Sequence, residues 1–165
     1  MANVKPIPEG YSTLVAYISV KNASDAIAYY KKAFGAEELM RHPMPDGKVG
    51  HAELKIGDSI LMLADEMDHP DAIAKSPRSL GGVTSGLCIY VVDCDTMFNR
   101  AVEAGGKVRR PLTNQFYGDR SGTLVDPFGH KWTVATHIED VSREELVRRT
   151  EAMIREQTAA PAETP

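Results

Sequence analysis

Cysteine is scarce: Cys88 and Cys94 are the only two among 165 residues, and they lack CxxC spacing. A disulfide framework and a thiolate zinc site have no basis here, and the expectation is a reduced, cytoplasmic protein with Cys88 as a small buried hydrophobe. Long hydrophobic runs are missing as well. No window reaches the roughly 18 apolar residues of a membrane span, and no apolar amino-terminal run follows a basic segment. No partnership with a membrane is therefore expected. Positive charge is sparse too. The net charge is −4, and Arg109-Arg110 and Arg148-Arg149 are short basic pairs that read as solvated faces, so no nucleic acid is expected. No phosphate-cradling glycine loop is present, and no Ser-His-Asp or Cys-His nucleophile can be argued from spacing.

What is present is a pattern that occurs twice. Thr13 to Val20 is apolar and β-branched, a strand. Asn22 or Ser24 can cap a helix in which Ala26, Ile27, Tyr30, Ala33 and Phe34 share a face, closed by Gly35. Strands are predicted over Glu37–Arg41, Val49–Ile56 and Ser59–Ala64, the last two joined by Gly57-Asp58. The polar stretch 66–84, rich in proline and glycine, reads as a linker with room for one helical turn. The pattern then restarts: a strand from Gly86 to Val92, a helix from Asp95 to Ala104 closed by Gly105-Gly106, and a short strand at Val108–Pro111. The offset between the copies is about 71 residues. Two βαβββ units predict an α+β fold: a curved mixed sheet around a concave cavity, with helices on the convex side. Residues 1–137 form one domain on this reading (repeat one 12–65, linker 66–84, repeat two 85–137). An amphipathic helix follows over 138–157, opened by a capping box at Ser142 and Glu145 and striped by Leu146, Val147, Thr150, Met153 and Ile154. Residues 158–165 read as a disordered tail.

The organising stretch is Phe116–Trp132. Asp126-Pro127-Phe128-Gly129 has turn chemistry at each position and joins Gly122–Asp126 to Lys131–Thr136 as a hairpin. Trp132, out of phase with Thr133, is expected in the core. Tyr117-Gly118-Asp119-Arg120 places an aromatic, a carboxylate and a guanidinium on a glycine hinge at the mouth of a pocket.

The βαβββ repeat, the Tyr29–Glu37 helix end and the Asp126–Gly129 turn resemble the vicinal oxygen chelate superfamily, which includes glyoxalases, extradiol dioxygenases and bleomycin-resistance proteins. His51-Ala52-Glu53-Leu54, Met62-Leu63-Ala64-Asp65 and the Trp132 strand resemble its PhnB-like branch. The resemblance implies a homodimer. It also implies four metal-ligand positions on strands, and these fall on Val15, Met62 (or Leu61), Leu87 and Thr133, which offer at best a weak hydroxyl. The methyltransferase label attached to that branch finds no nucleotide-binding loop here.

The leading expectation is therefore a small-molecule-binding protein without cofactor. Its cavity is lined by Val15, Tyr17, Met62, Leu87, Ile89 and Thr133, with Gln115, Phe116, Tyr117 and Arg120 at the rim. Arg120 could meet a ligand anion, or it could pair with Asp119 or the Asp126 region. The alternative is a lyase, isomerase or dioxygenase-like enzyme using His51 or Glu53 as base, or a divalent metal held by His51, Glu53 and His137. A third reading is a dimeric scaffold working through the carboxy-terminal helix. Binding predicts an open apolar cavity, the metalloenzyme predicts that those three side chains converge, and the scaffold predicts a cavity filled by its own residues.

Overall fold

The computed structural model describes residues 4–70, 72 and 74–159. The elements in order are β1 (Ala16–Val20), α1 (Ala23–Phe34), β2 (Glu37–Pro43), β3 (Val49–Ile56), β4 (Ser59–Asp65) and α2 (Pro77–Leu80). The second half adds β5 (Gly86–Tyr90), α3 (Cys94–Glu103), β6 (Lys107–Asn114), β7 (Asp119–Val125), β8 (Lys131–His137) and α4 (Arg143–Ala159). Each repeat builds its own four-stranded mixed sheet, ordered β1-β4-β3-β2 and β5-β8-β7-β6, with the first pairing parallel and the others antiparallel. The expected α+β architecture of two βαβββ units is observed, with each unit keeping its own sheet.

Local chemistry explains the boundaries. Asn22 caps α1, its side chain accepting from the Asp25 amide, and Gly35 ends it at φ 67°, a conformation that glycine adopts without a Cβ penalty. Ser76 caps α2, and Pro77 fills its first turn. The strand β6 runs longer than Val108–Pro111, pairing with β7 from Lys107 to Asn114, and it is a sheet edge. Pro111, which lacks an amide hydrogen, sits where the register is irregular and no partner strand is needed on the outer side. β7 begins at Asp119, so Gly118 lies in the turn at φ 99°, where a Cβ would stand 2.1 Å from the Glu139 carbonyl oxygen. At α4 only half of the capping box forms. The Glu145 amide donates to Ser142 Oγ, while the Glu145 carboxylate pairs with Arg148 and Arg149. Residues 158 and 159 belong to α4, and the rest of the expected tail, 160–165, lies outside the described residues.

The modules are joined behind their sheets. Tyr30, Phe34, Phe128 and Trp132 form one buried aromatic cluster, with the Phe34 and Trp132 centroids 4.5 Å apart. At its centre the buried Asp126 carboxylate accepts from Tyr30 Oη (2.7 Å), Trp132 Nε1 (2.9 Å) and the amides of Phe128 and His130 (2.9 Å each). Burial, with the Asp126 charge, holds the Tyr30 hydroxyl pKa far above its ordinary value, so it stays a donor. Tyr29 Oη donates to the Ala101 carbonyl, and Arg100 Nε donates to that of Ala33. His130, expected at the surface or bracing the turn, is half-buried and lies 3.1 Å from the Ser19 carbonyl of the first module.

Candidate functional site

In the first module, alternation along β3 sends Ala52, Leu54 and Ile56 beneath α1 and leaves His51 and Glu53 on the opposite, concave face. Cross-strand register sets Tyr17, Met62, Glu53 and Met40 in one row. The half-buried Val15 immediately precedes β1, in phase with Tyr17. A continuous polar chain runs across this face. Tyr17 Oη is 3.0 Å from His51 Nδ1, His51 Nε2 is 3.1 Å from Glu53 Oε1, and Tyr11 Oη donates to Glu53 Oε2. The Tyr11 hydrogen bond lowers the Glu53 pKa, helped by His51 against the opposing cost of burial, while desolvation raises that of Tyr17. A small cavity of about 220 Å³ opens beside Tyr17, Ser19, Gly50 and Ala64.

The equivalent row of the second module is Cys88, Thr133, Thr123 and Arg110. Thr123 Oγ1 and Thr133 Oγ1 are 3.1 Å apart. A cavity of about 460 Å³ lies on this face, lined by Gly86, Cys88, Arg109, Arg110, Lys131 and the two threonines, with Leu87 at its edge. At the other end of the same face, Asp119 accepts from Tyr90 Oη (2.6 Å) and lies 2.8 Å from His137 Nδ1, whose Nε2 is 3.1 Å from Asp140. Asp119, more than Asp140, raises the His137 pKa, and its hydrogen bond pushes Tyr90 up to about 12. The Gln115–Gly118 turn closes this end. Gln115 Nε2 donates to Thr113 Oγ1, Phe116 and Tyr117 meet edge to face, and the Phe116 carbonyl accepts from Arg149 of α4.

Three placements differ from the expectation. Leu87 and Ile89 pack against the core on the helix side of β5, so Cys88 is exposed and not a buried hydrophobe. The cause is a one-residue shift in phase, which exchanges the two faces of a strand. Leu87 and Ile89 instead line a second cavity of about 460 Å³, predominantly apolar, between the modules, together with Phe34, Leu61, Met97 and Trp132. Arg120 is not a free rim cation. Because β7 starts at Asp119, Arg120 faces α3 and clamps Asp95 with two bonds of 2.6 Å, and Asp119 turns to the concave face. The proposed ligand trio is not brought together: His51 and Glu53 bond each other in one module, and His137 lies between carboxylates in the other. Among the described residues no three His, Cys, Asp or Glu side chains are grouped to hold a metal ion. No helix among them is long and apolar enough to cross a membrane. The residues missed by sequence reasoning are Tyr11, which caps the Glu53 chain from an irregular segment, and the Arg109-Arg110 pair.

Residues 13–134 match the model of the glyoxalase/bleomycin resistance protein/dioxygenase superfamily. An uncharacterized protein of Mycobacterium tuberculosis is 39% identical over 145 residues, covering 87% of this chain and 82% of its own. TioX from Micromonospora sp. ML1 superposes with a TM-score of 0.61 at 26% identity, over 77% of this chain and 99% of that one. The PhnB protein of Bacillus cereus shares the fold, with a TM-score of 0.57 at 16% identity over 76% of this chain and 99% of its own. With two βαβββ modules and a match across most of its length, the chain belongs to the glyoxalase/bleomycin resistance protein/dioxygenase superfamily.

Proposed function

We propose that the protein binds a small, partly hydrophobic organic molecule in the cleft between its modules, as a cytoplasmic homodimer and without a catalytic metal. The observation that carries this reading is the apolar cavity of about 460 Å³ bounded by Phe34, Leu61, Leu87, Ile89, Met97 and Trp132. That volume lies in the range of sites for drug-sized ligands, and apolar walls with few polar groups are what such sites have. An open cleft counts against the scaffold reading. Metal independence rests on donor chemistry. Of the strand positions implied by the superfamily, Val15, Met62 and Thr133 offer only a thioether and a hydroxyl and Leu87 turns to the helix side of β5, whereas the divalent ions of such sites prefer carboxylate and imidazole. The only tryptophan of the chain is Trp132, so its fluorescence reports on the cleft. A screen of small apolar molecules is expected to give saturable shifts in that fluorescence and a raised melting temperature. Ile89→Phe, which occupies the cleft, should abolish both while the apo protein still melts cooperatively. A screen without any saturable hit, or hits indifferent to Ile89→Phe, would sink the reading. Sedimentation velocity tests the dimer.

One observation favours a second reading. The chain Tyr11–Glu53–His51–Tyr17 reaches a small cavity through Tyr17, an arrangement that metal-free acid–base chemistry at His51 could use. Its signature would be a turnover lost in His51→Gln and retained after exhaustive chelation.

A further inference from the structure

Two cavities meet at β5. The apolar cleft and the basic cavity of the second module have Leu87 and Cys88 in common, and β5 is an edge strand of its sheet, with no strand among the described residues paired on its outer side. A molecule lying across that edge would touch both. On one side it meets Phe34, Met97 and Trp132, and on the other it meets Arg109, Arg110 and Lys131.

The basic side differs electrically from the rest of this acidic chain. Arg41, Arg120 and Arg149 each meet a carboxylate within 3 Å. Among the described residues no carboxylate pairs with Arg109 or Arg110, and none of the residues lining the cavity is acidic. Strict alternation along an edge strand would point consecutive arginines to opposite faces. The irregular register between Val108 and Arg110 removes that constraint, and both arginines line the same cavity. Gly86 contributes no side chain to block the space. The Thr123 and Thr133 hydroxyls bond each other, which leaves one of the two free to donate into it. Desolvation, with the Asp119 charge, pushes the Cys88 thiol up, so it adds no negative charge. At the same places in the first module stand Met40 and Glu53, which offer an anion nothing.

We propose that the ligand is an amphipathic organic anion, with its apolar body in the inter-module cleft and its acidic head on Arg109, Arg110 and Lys131. This rests on the binding reading above. Guanidinium forks fit planar carboxylates and phosphates in two-point contact, so either head group meets the requirement.

The test uses the full chain and five probes: octanoate, octyl phosphate, 1-octanol, octylammonium and inorganic phosphate. Binding is followed by Trp132 fluorescence and calorimetry. Octanoate and octyl phosphate should bind at least about tenfold more tightly than 1-octanol, with octylammonium weakest, since each charge-assisted contact is worth roughly a factor of ten or more. The comparison of octanoate with octyl phosphate identifies the head group. Added salt should erode the preference. The double variant Arg109→Gln/Arg110→Gln should erase it, bringing octanoate and octyl phosphate to the affinity of 1-octanol. Lys131→Gln should reduce it, which covers the case in which the double variant melts early. Equal affinity for 1-octanol or octylammonium overturns the proposal and leaves the cleft a neutral binding site. A preference that survives both variants also overturns it, as does inorganic phosphate binding as tightly as octyl phosphate. If no octyl probe binds, the binding reading falls with it.

Discussion

The two modules follow the same backbone plan with opposite surface chemistry. In the first, the Ala23 amide at the start of α1 donates to Asp65 at the end of β4; in the second, the Cys94 amide donates to Thr136 near the end of β8, and both contacts span 42 residues. Asn22 accepts from the Asp25 amide, and Asp93 accepts from that of Thr96. Both outer strands carry a register irregularity at the same place, between Glu38 and Met40 and between Val108 and Arg110. The concave rows have nothing in common: Tyr17, Met62, Glu53 and Met40 against Cys88, Thr133, Thr123 and Arg110. Orphan amides at a helix start must be satisfied in any copy of the unit, so capping chemistry persists in some form. Side chains that face solvent or ligand carry no such obligation, and there the copies have diverged in charge.

The largest expected effect breaks the union of the copies. Asp126→Ala removes the acceptor for the Tyr30 hydroxyl, the Trp132 indole and two turn amides, all in buried or half-buried surroundings. Leaving such donors unpaired should cost about 3–5 kcal/mol in urea denaturation. Asp126→Asn, which keeps one oxygen, should cost less. A loss below about 1 kcal/mol would mean that the Asp126 hydrogen bonds contribute little to joining the modules, leaving the aromatic cluster and the Tyr29, Arg100 and His130 contacts to do so.

A smaller contrast compares the two strand-to-helix caps directly. Asp65 accepts from both the Ala23 and Val49 amides (2.9 and 2.8 Å), whereas Thr136 accepts from Cys94 and donates to the Val91 carbonyl. Asp65→Ala should therefore cost about 2–3 kcal/mol and Thr136→Ala about 1 kcal/mol. Equal losses would show that the first module gains nothing from its charged acceptor.

Much of this was legible before any coordinates. The repeat, the α1 cap and the Asp126–Gly129 turn depend on residues close in sequence, whose types alone dictate backbone shape. Trp132 was legible as core from its phase in β8. The face of β5 was not, because Gly86–Val92 is apolar throughout and offers no polar alternation to fix its phase. Arg120 found Asp95, and Asp126 found Tyr30, across 25 and 96 residues. Only tertiary packing makes such pairs. The convergence of Arg109 and Arg110 depends on a bulge, and a basic dipeptide on an exposed strand carries no signal of one.

The smallest expected effect separates the modules by pH. His137 has a carboxylate at each ring nitrogen, Asp119 at 2.8 Å and Asp140 at 3.1 Å, so both nitrogens can donate only when the ring is protonated. The hydrogen bond to Asp119 comes first, and that to Asp140 second, in raising its pKa above 6.5 in the folded protein. A raised folded pKa means that the unfolded chain releases this proton more readily. The stabilisation is then complete below about pH 6.5 and is lost as pH climbs through the folded value. Wild type should exceed His137→Gln in melting temperature at pH 5.5–6.5, and the gap should close in alkaline buffer. His51 in the first module faces one carboxylate and a tyrosine. If the His137→Gln gap is the same in alkaline buffer as at pH 5.5, the protonated ring adds no stability, and the contact with Asp140 does not tie the segment before α4 to the sheet.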